Sequence, residues 1–232
     1  MNAIKFDFQF DTEKILHELR TIEKSFNTIH SIKIKENDLK GLHLITPLSN
    51  GEKDKRGFSY QITPELDKSP YLQSVLDTFQ CDKFTFRIHN LVSKGRIELH
   101  RDTGSGLLSN IVRIHIPVTT NDDIYFYVDG KRVIMKNGEC WFANITLPHE
   151  VENRSNNDRL QLMIDCDLNE WWKNILMKHG MDLDKINIWD NHTLKELQSI
   201  KENFLNMDNE HSQVLVAEIN TAISKKNSFY SL

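Results

Sequence analysis

Disulfide chemistry, a basic surface and long apolar runs are all scarce in this sequence, and each scarcity narrows what the chain can do. It has three cysteines in 232 residues, Cys81, Cys140 and Cys166. Their number is odd and their spacing wide, so they suggest neither a disulfide framework nor a thiolate zinc site. Buried, reduced thiols of a cytoplasmic protein are the plain expectation. Basic charge is not in surplus. The 29 Lys and Arg meet 33 Asp and Glu for a net charge of −4. No Lys/Arg run breaks that balance, so neither nucleic acid nor an anionic membrane surface is an expected partner. No apolar stretch approaches membrane-spanning length. The start, Met1-Asn2-Ala3-Ile4-Lys5-Phe6-Asp7, lacks the apolar run of a signal peptide. Internal repeats and low-complexity tracts are absent too. What remains is ordinary for a globular chain, 39% hydrophobic and 27% charged, with enough length for a real core and an appendage.

Periodicity divides the chain. Phe6–Phe10 alternates Phe with polar residues, as a short strand does. Ile15, Leu16, Leu19, Ile22 and Phe26 then share one helical face, with Asp11 or Thr12 able to cap it. Ile32–Ile34 and Leu42–Ile45 read as short strands, and Ser49–Arg56 as a polar loop. A second helix opens at Ser69-Pro70. From Lys83 to Cys166 the period is two. The expected strands are Phe84–Leu91, Arg96–His100, Asn110–Val118, Ile124–Val128, Lys131–Met135, Glu139–Ala143, His149–Val151 and Leu160–Asp165. Asp129-Gly130 between two such runs is a hairpin signal. This succession of short strands predicts a jelly roll or barrel. After Cys166 the pattern turns helical: Glu170–His179, a capping box Thr193-x-x-Glu196 opening a helix through Leu205, and an amphipathic run Ser212–Ile223. Ser224–Leu232 reads as a polar, frayed tail. The expected division is a jelly-roll unit with N-terminal helices over residues 1–168 and a helical appendage over residues 169–232.

The chemistry concentrates between Leu99 and Asp165. In Arg96–His100, His100 points opposite to Ile97 and Leu99, and continued extension puts Asp102 on the face of His100. A His and an Asp so placed can grip one metal ion, and His149, after Pro148, is the best third ligand. Two His and one Asp leave coordination positions free on one side, the arrangement that suits ferrous iron in oxygen activation. Alone, a His-x-Asp pair or a single His is usually just a satisfied polar group. The set is more telling because Arg159 follows ten residues after His149. An Arg on the inner face of a barrel needs an anionic partner, and a dicarboxylate would supply a bidentate one. Arg113 and His115 share a face of their own strand and point to the same need. Arg87, between aromatic residues, reads equally as the holder of a substrate acid group or as one half of a surface salt bridge.

The order Gly95, Leu99-His100-x-Asp102, Arg113-x-His115-Ile116-Pro117-Val118-x-Thr120-Asn121, Gly138-Glu139-x-Trp141, His149-Glu150-Val151-x-Asn153, Arg159 resembles the aspartyl/asparaginyl β-hydroxylase family of iron(II)/2-oxoglutarate-dependent oxygenases. The resemblance covers roughly Phe84–Asp165 and implies a double-stranded β-helix core, mainly β with flanking helices. It implies that His100, Asp102 and His149 are iron ligands, and that Arg159 holds the far carboxylate of 2-oxoglutarate. It further implies that Arg113, His115 and Asn90 contact the cosubstrate. Asp102 departs from the animal protein hydroxylases of the family and agrees with its bacterial members. The animal enzymes also carry a membrane anchor and a helical-repeat region; neither is read in this sequence, so a secretory-pathway role is not expected. The expected reaction is hydroxylation of an unactivated C–H bond with dioxygen, and the expected substrate is an amino acid or a small molecule derived from one. The rivals are a peptide or protein side chain as substrate and a non-enzymatic jelly-roll metal- or ligand-binding protein. Asp102 argues against halogenation, since a halide would need its position; desaturation stays open.

Overall fold

The structure is a computed structural model and describes residues 2–29, 34–35, 38–48, 59–207 and 209–230. The alternating Phe residues at the start do form a strand, β1 (Ala3–Gln9). Helix α1 (Thr12–Ile22) follows, capped by the Asp11 carboxylate, which accepts from the backbone of Glu13 and Lys14. Its inward face carries Ile15, Leu19 and Ile22. The same face buries Glu18, whose carboxylate accepts from the backbone N–H groups of Tyr71 and Leu72. That meets the orphan donors at the start of another helix.

Strands β2 (Asn27–Thr28), β3 (Leu39–Leu48) and β4 (Ser59–Ile62) lead to helices α2 (Pro64–Asp67) and α3 (Pro70–Asp77). Of the expected strand Ile32–Ile34 only Ile34 is described, in a single bridge to Ile97. The expected loop Ser49–Arg56 lies outside the described residues.

The jelly roll proper comprises β5 (Lys83–Leu91), β6 (Arg96–His100), β7 (Ile111–Thr119), β8 (Ile124–Val128), β9 (Lys131–Arg132), β10 (Glu139–Ala143), β11 (His149–Asn153) and β12 (Arg159–Asp167). They form two antiparallel layers. The larger sheet runs β1-β10-β7-β12-β5-β3-β2, with β4 on β3, and the smaller runs β6-β11-β8-β9. Apart from the β8–β9 hairpin, consecutive strands from β5 on alternate between the layers, which is the double-stranded β-helix expected from the period-two pattern.

Asp129 and Gly130, at φ 52° and 73°, make the tight turn between β8 and β9. The strand expected over Lys131–Met135 is shorter, Lys131–Arg132. Met135 instead turns its side chain into the space between the sheets.

Strand parity sorts the side chains. Val112, Ile114, Ile116, Phe86, Ile88, Leu162 and Ile164 face outward from the larger sheet, into the core shared with α1 and α3. Helix α4 (Glu170–Lys178) joins that core through Trp172 and Leu176. The opposite faces of β5, β7 and β12 look toward the smaller sheet. One end of that interior is apolar, filled by Leu39, Leu91, Phe126, Val128, Ile145 and Leu147. The other end is polar.

Helices α5 (Leu194–Leu205) and α6 (Glu210–Tyr230) pair around Trp189, Leu197, Ile219 and Ala222. The apolar clusters therefore divide after Ile186, and α4 packs with the jelly roll rather than with the appendage expected from residue 169. The expected frayed tail is also helical, as α6 continues to Tyr230. Lys225 reaches Asp190 at 2.8 Å, and the buried Lys226 reaches Asp129 in the β8–β9 turn at 3.6 Å. Polar side chains that found partners in the fold read as a polar tail in the sequence. Among the described residues no helix is long and apolar enough to cross a membrane.

Candidate active site

His100 closes β6 and His149 opens β11, and antiparallel register sets them opposite each other. Their ring centroids are 4.1 Å apart. Each ring has its Nδ1 against a backbone carbonyl, His100 on Glu98 at 2.7 Å and His149 on Leu147 at 3.1 Å. A carbonyl only accepts, so each Nδ1 carries a proton, and Nε2 is the ring nitrogen left to face a metal. Asp102 lies beyond the strand end, where its N–H donates to the Ile145 carbonyl at 3.0 Å. Its Oδ1 is 3.5 Å from His100 Nε2. One ligand atom from each of His100, Asp102 and His149 falls within 4.8 Å of the others. Burial, then the neighbouring His100, takes His149 down to about 4, so its ring stays neutral, the form that ligates. Burial works against the Asp102 carboxylate, but the charge and hydrogen bond of Arg113 outweigh it and hold its pKa below the usual range. Two imidazoles and one carboxylate on a shared side suit a divalent first-row metal.

Behind Asp102 stands a chain of buried ion pairs. Arg113 Nη1 donates to Asp102 Oδ2 at 2.5 Å, while its Nε and Nη2 fork onto Asp165 at 2.5 and 3.0 Å. Asp165 also accepts from Thr85 Oγ1 at 2.8 Å and Arg87 Nη2 at 3.1 Å. The anionic partners of Arg113 thus include two of the protein's own carboxylates. Burial raises the Asp165 pKa, but Arg113 and Arg87 more than offset that and take it to about 2.

Arg159 is the contrast. It is fully buried on the inner face of β12, and among the described residues no carboxylate pairs with it. Its Nη2 donates to Gln161 Oε1 at 2.5 Å, and its Nε finds no acceptor. Burial alone takes it down to about 10. Gln161 Nε2, His115 Nε2 and Arg87 Nε are likewise buried without partners. His115 sits opposite Met163 of β12, with its ring 6.0 Å from Phe126 of the facing sheet. Burial, then Arg113 and Arg159, push His115 well below its ordinary value, so it is neutral. An unmet buried polar group costs about 1–3 kcal/mol, and four converge on one interior. A ligand rich in carboxylate oxygens is the chemistry that meets them. The donor set and these orphaned atoms fit iron and 2-oxoglutarate respectively.

Asn90 is not brought to this interior. Its parity on β5 matches Phe86 and Ile88, the outward face, and its Nδ2 donates to Asp158 at 3.0 Å. Gln161, Asp165, His89 and His43 belong near the site although sequence reasoning did not single them out. Gln161 and Asp165 share the parity of Arg159, and His89 that of Arg87, so a signal was there. Gln161 lies opposite His89, and Arg87 opposite His43.

A sequence profile of the family described as aspartyl/asparaginyl beta-hydroxylase matches residues 11–168. The chain belongs to that family. It is accordingly an oxidoreductase of the hydroxylase type. Solved structures are similar at lower levels. SnoK, a non-heme alpha-ketoglutarate-dependent carbocyclase from nogalamycin biosynthesis, is 13% identical with a TM-score of 0.48, over 72% of this chain and 79% of that one. A Trichoplax adhaerens prolyl hydroxylase in complex with a hypoxia inducible factor peptide is 12% identical with a TM-score of 0.46, over 78% and 88%. HygX from Streptomyces hygroscopicus, with nickel and 2-oxoglutarate bound, is 11% identical with a TM-score of 0.44, over 73% and 84%. Likenesses this distant add no weight to the family assignment.

Proposed function

We propose that this protein hydroxylates an unactivated C–H bond of an amino acid or of a small molecule derived from one. The observation that carries the reading is the uncompensated Arg159, buried with orphaned polar atoms of Gln161 and His115 beside the His100, Asp102 and His149 cluster. In this reading those three side chains hold iron. Arg159 and Gln161 take the distal carboxylate of 2-oxoglutarate, and the neutral His115 lends a hydrogen bond nearby. When bound, iron and 2-oxoglutarate supply oxidation by dioxygen: 2-oxoglutarate is split to succinate and carbon dioxide, and the second oxygen atom becomes the hydroxyl of the product.

The chain's residues do the rest. Arg113 fixes the Asp102 carboxylate from behind, so one oxygen stays turned to the metal. Asp165 keeps Arg113 and Arg87 aligned. The apolar half of the interior, with Phe126 and Leu147, excludes water from the reacting end.

Charge favours an acidic substrate group. Among the described residues, three arginines inside the roll, Arg87, Arg113 and the unpaired Arg159, stand against two carboxylates, Asp102 and Asp165. A divalent metal raises that surplus, and a dianionic cosubstrate lowers it to a single positive charge. Arg87, with its unmet Nε and with His43 and His89 near it in register, is where one substrate carboxylate would neutralise that charge. Incubation with iron(II), 2-oxoglutarate and each of the twenty amino acids, free and as the carboxamide, tests this by mass spectrometry. The reading expects gain of one oxygen on a free acid with matching succinate, and none on its amide. Turnover restricted to peptide side chains would displace the free amino acid.

A further inference from the structure

The residue between two of the three metal ligands points the other way. His100 and Asp102 face the interior, so Arg101 projects outward, toward the helices that follow the jelly roll. Its Nη1 donates to the Asn191 carbonyl at 2.6 Å, and its Nη2 meets both oxygens of Glu196 at 2.6 and 2.5 Å. Glu196 is itself held, because its Oε2 accepts from the Thr193 N–H at 2.7 Å and the Thr193 hydroxyl at 3.0 Å in the capping box of α5. The neighbouring loop is tied to the same place. Thr146 Oγ1 donates to Asn191 Oδ1 at 2.6 Å, and the carbonyl of Ile145, one residue earlier, accepts from Asp102 N–H. Both sides of the ligand-bearing turn are therefore anchored to one short segment, Asn191–Glu196. That segment belongs to the helical pair with its own apolar cluster, beyond the residues 11–168 matched by the family profile.

We infer that Arg101 is a positioning residue and that the α5–α6 pair is a buttress which sets the geometry of the His100-x-Asp102 ligand pair. A lone exposed ion pair would be worth little. Here a planar guanidinium is fixed by a backbone carbonyl and a carboxylate already locked by a helix cap, and the chain between two ligands has few other ways to turn. An outer group that orients metal ligands typically governs metal affinity by about tenfold or more. The inference rests on the proposed metal site, and its test separates the two.

Mn(II) binding by the full chain, followed by electron paramagnetic resonance, is measured beside the thermal midpoint for the wild type, Glu196→Gln, Arg101→Met and Arg101→Lys. Gln preserves a capping acceptor, so Glu196→Gln is expected to fold with nearly the wild-type midpoint and to bind Mn(II) about tenfold more weakly. Arg101→Met is expected to weaken it at least as much, and Arg101→Lys, which keeps charge but loses the fork, to recover part of the loss. Wild-type Mn(II) affinity in folded Glu196→Gln and Arg101→Met would overturn the buttress alone. A wild type that binds no Mn(II) would overturn the metal site and the buttress with it.

Discussion

Arg159 and Asp165 stand six residues apart on one face of one strand, yet their substitutions are expected to act in opposite ways. Arg159 has no carboxylate partner, so it holds a charge in the interior at a cost. Replacing buried ionic groups by apolar ones of similar size is often neutral or stabilising by about 1–4 kcal/mol. Arg159→Met is therefore expected to keep or raise the thermal midpoint while raising the KM for 2-oxoglutarate by more than tenfold, since a buried charge-assisted contact is worth about 2–5 kcal/mol. Steady-state kinetics and a melting curve on the same preparation check both halves. Asp165 is fully partnered. Asp165→Asn leaves Arg113 and Arg87 short of a carboxylate and is expected to cost about 3–5 kcal/mol in urea unfolding at neutral pH. Its folded pKa of about 2 lies below the ordinary 3.8. A depressed acid contributes stability above its unfolded pKa and loses it as pH falls through the folded one. About 2 kcal/mol is thus expected to vanish between roughly pH 4 and pH 2, and Asp165→Asn is expected to flatten that part of the acid limb.

Local periodicity made Arg113, His115 and Arg159 legible as inward residues. It did not say which of them already had a partner. That depends on which strand lies alongside, and Arg113 meets Asp165 only because β7 and β12 pair in this register. Asn90 entered by resemblance alone, and its parity with Phe86 and Ile88 argued against it.

Among the elements, those with a chemical cause written into a few residues were readable. The Asp129-Gly130 turn and the Thr193–Glu196 capping box are examples. Gly130 sits at φ 73° with nothing within 4 Å of an added Cβ. Gly130→Ala is therefore expected to cost only the added backbone strain, about 1–2 kcal/mol, measurable by urea unfolding, with no change in metal binding. Where an element depends on distant partners the sequence misled. The end of α6 reads as a solvated tail, yet Lys226 lies buried against Asp129. Helix α4 reads as the start of the appendage, yet Trp172 and Leu176 complete the jelly-roll core. In both cases the missing information was what the chain folds against.

At the scale of the whole molecule, the polypeptide leaves open a charge balance that, in the proposed function, iron and the cosubstrate would complete. The interior holds orphaned atoms and a surplus of positive charge in one half and an apolar core in the other. Ligands that fill the polar half are expected to stabilise the fold by mass action, by about 2.7 kcal/mol at a hundredfold excess over Kd. A rise in thermal midpoint with Mn(II) and 2-oxoglutarate together, smaller in Arg159→Met, checks this. The measurement that tests the central claim most directly is an anaerobic titration of the wild type with iron(II) and 2-oxoglutarate, followed by visible absorption. A weak band that requires both components, is absent in His149→Ala and needs far more 2-oxoglutarate in Arg159→Met is the predicted result. No band in the wild type, or one that survives in His149→Ala, would contradict it.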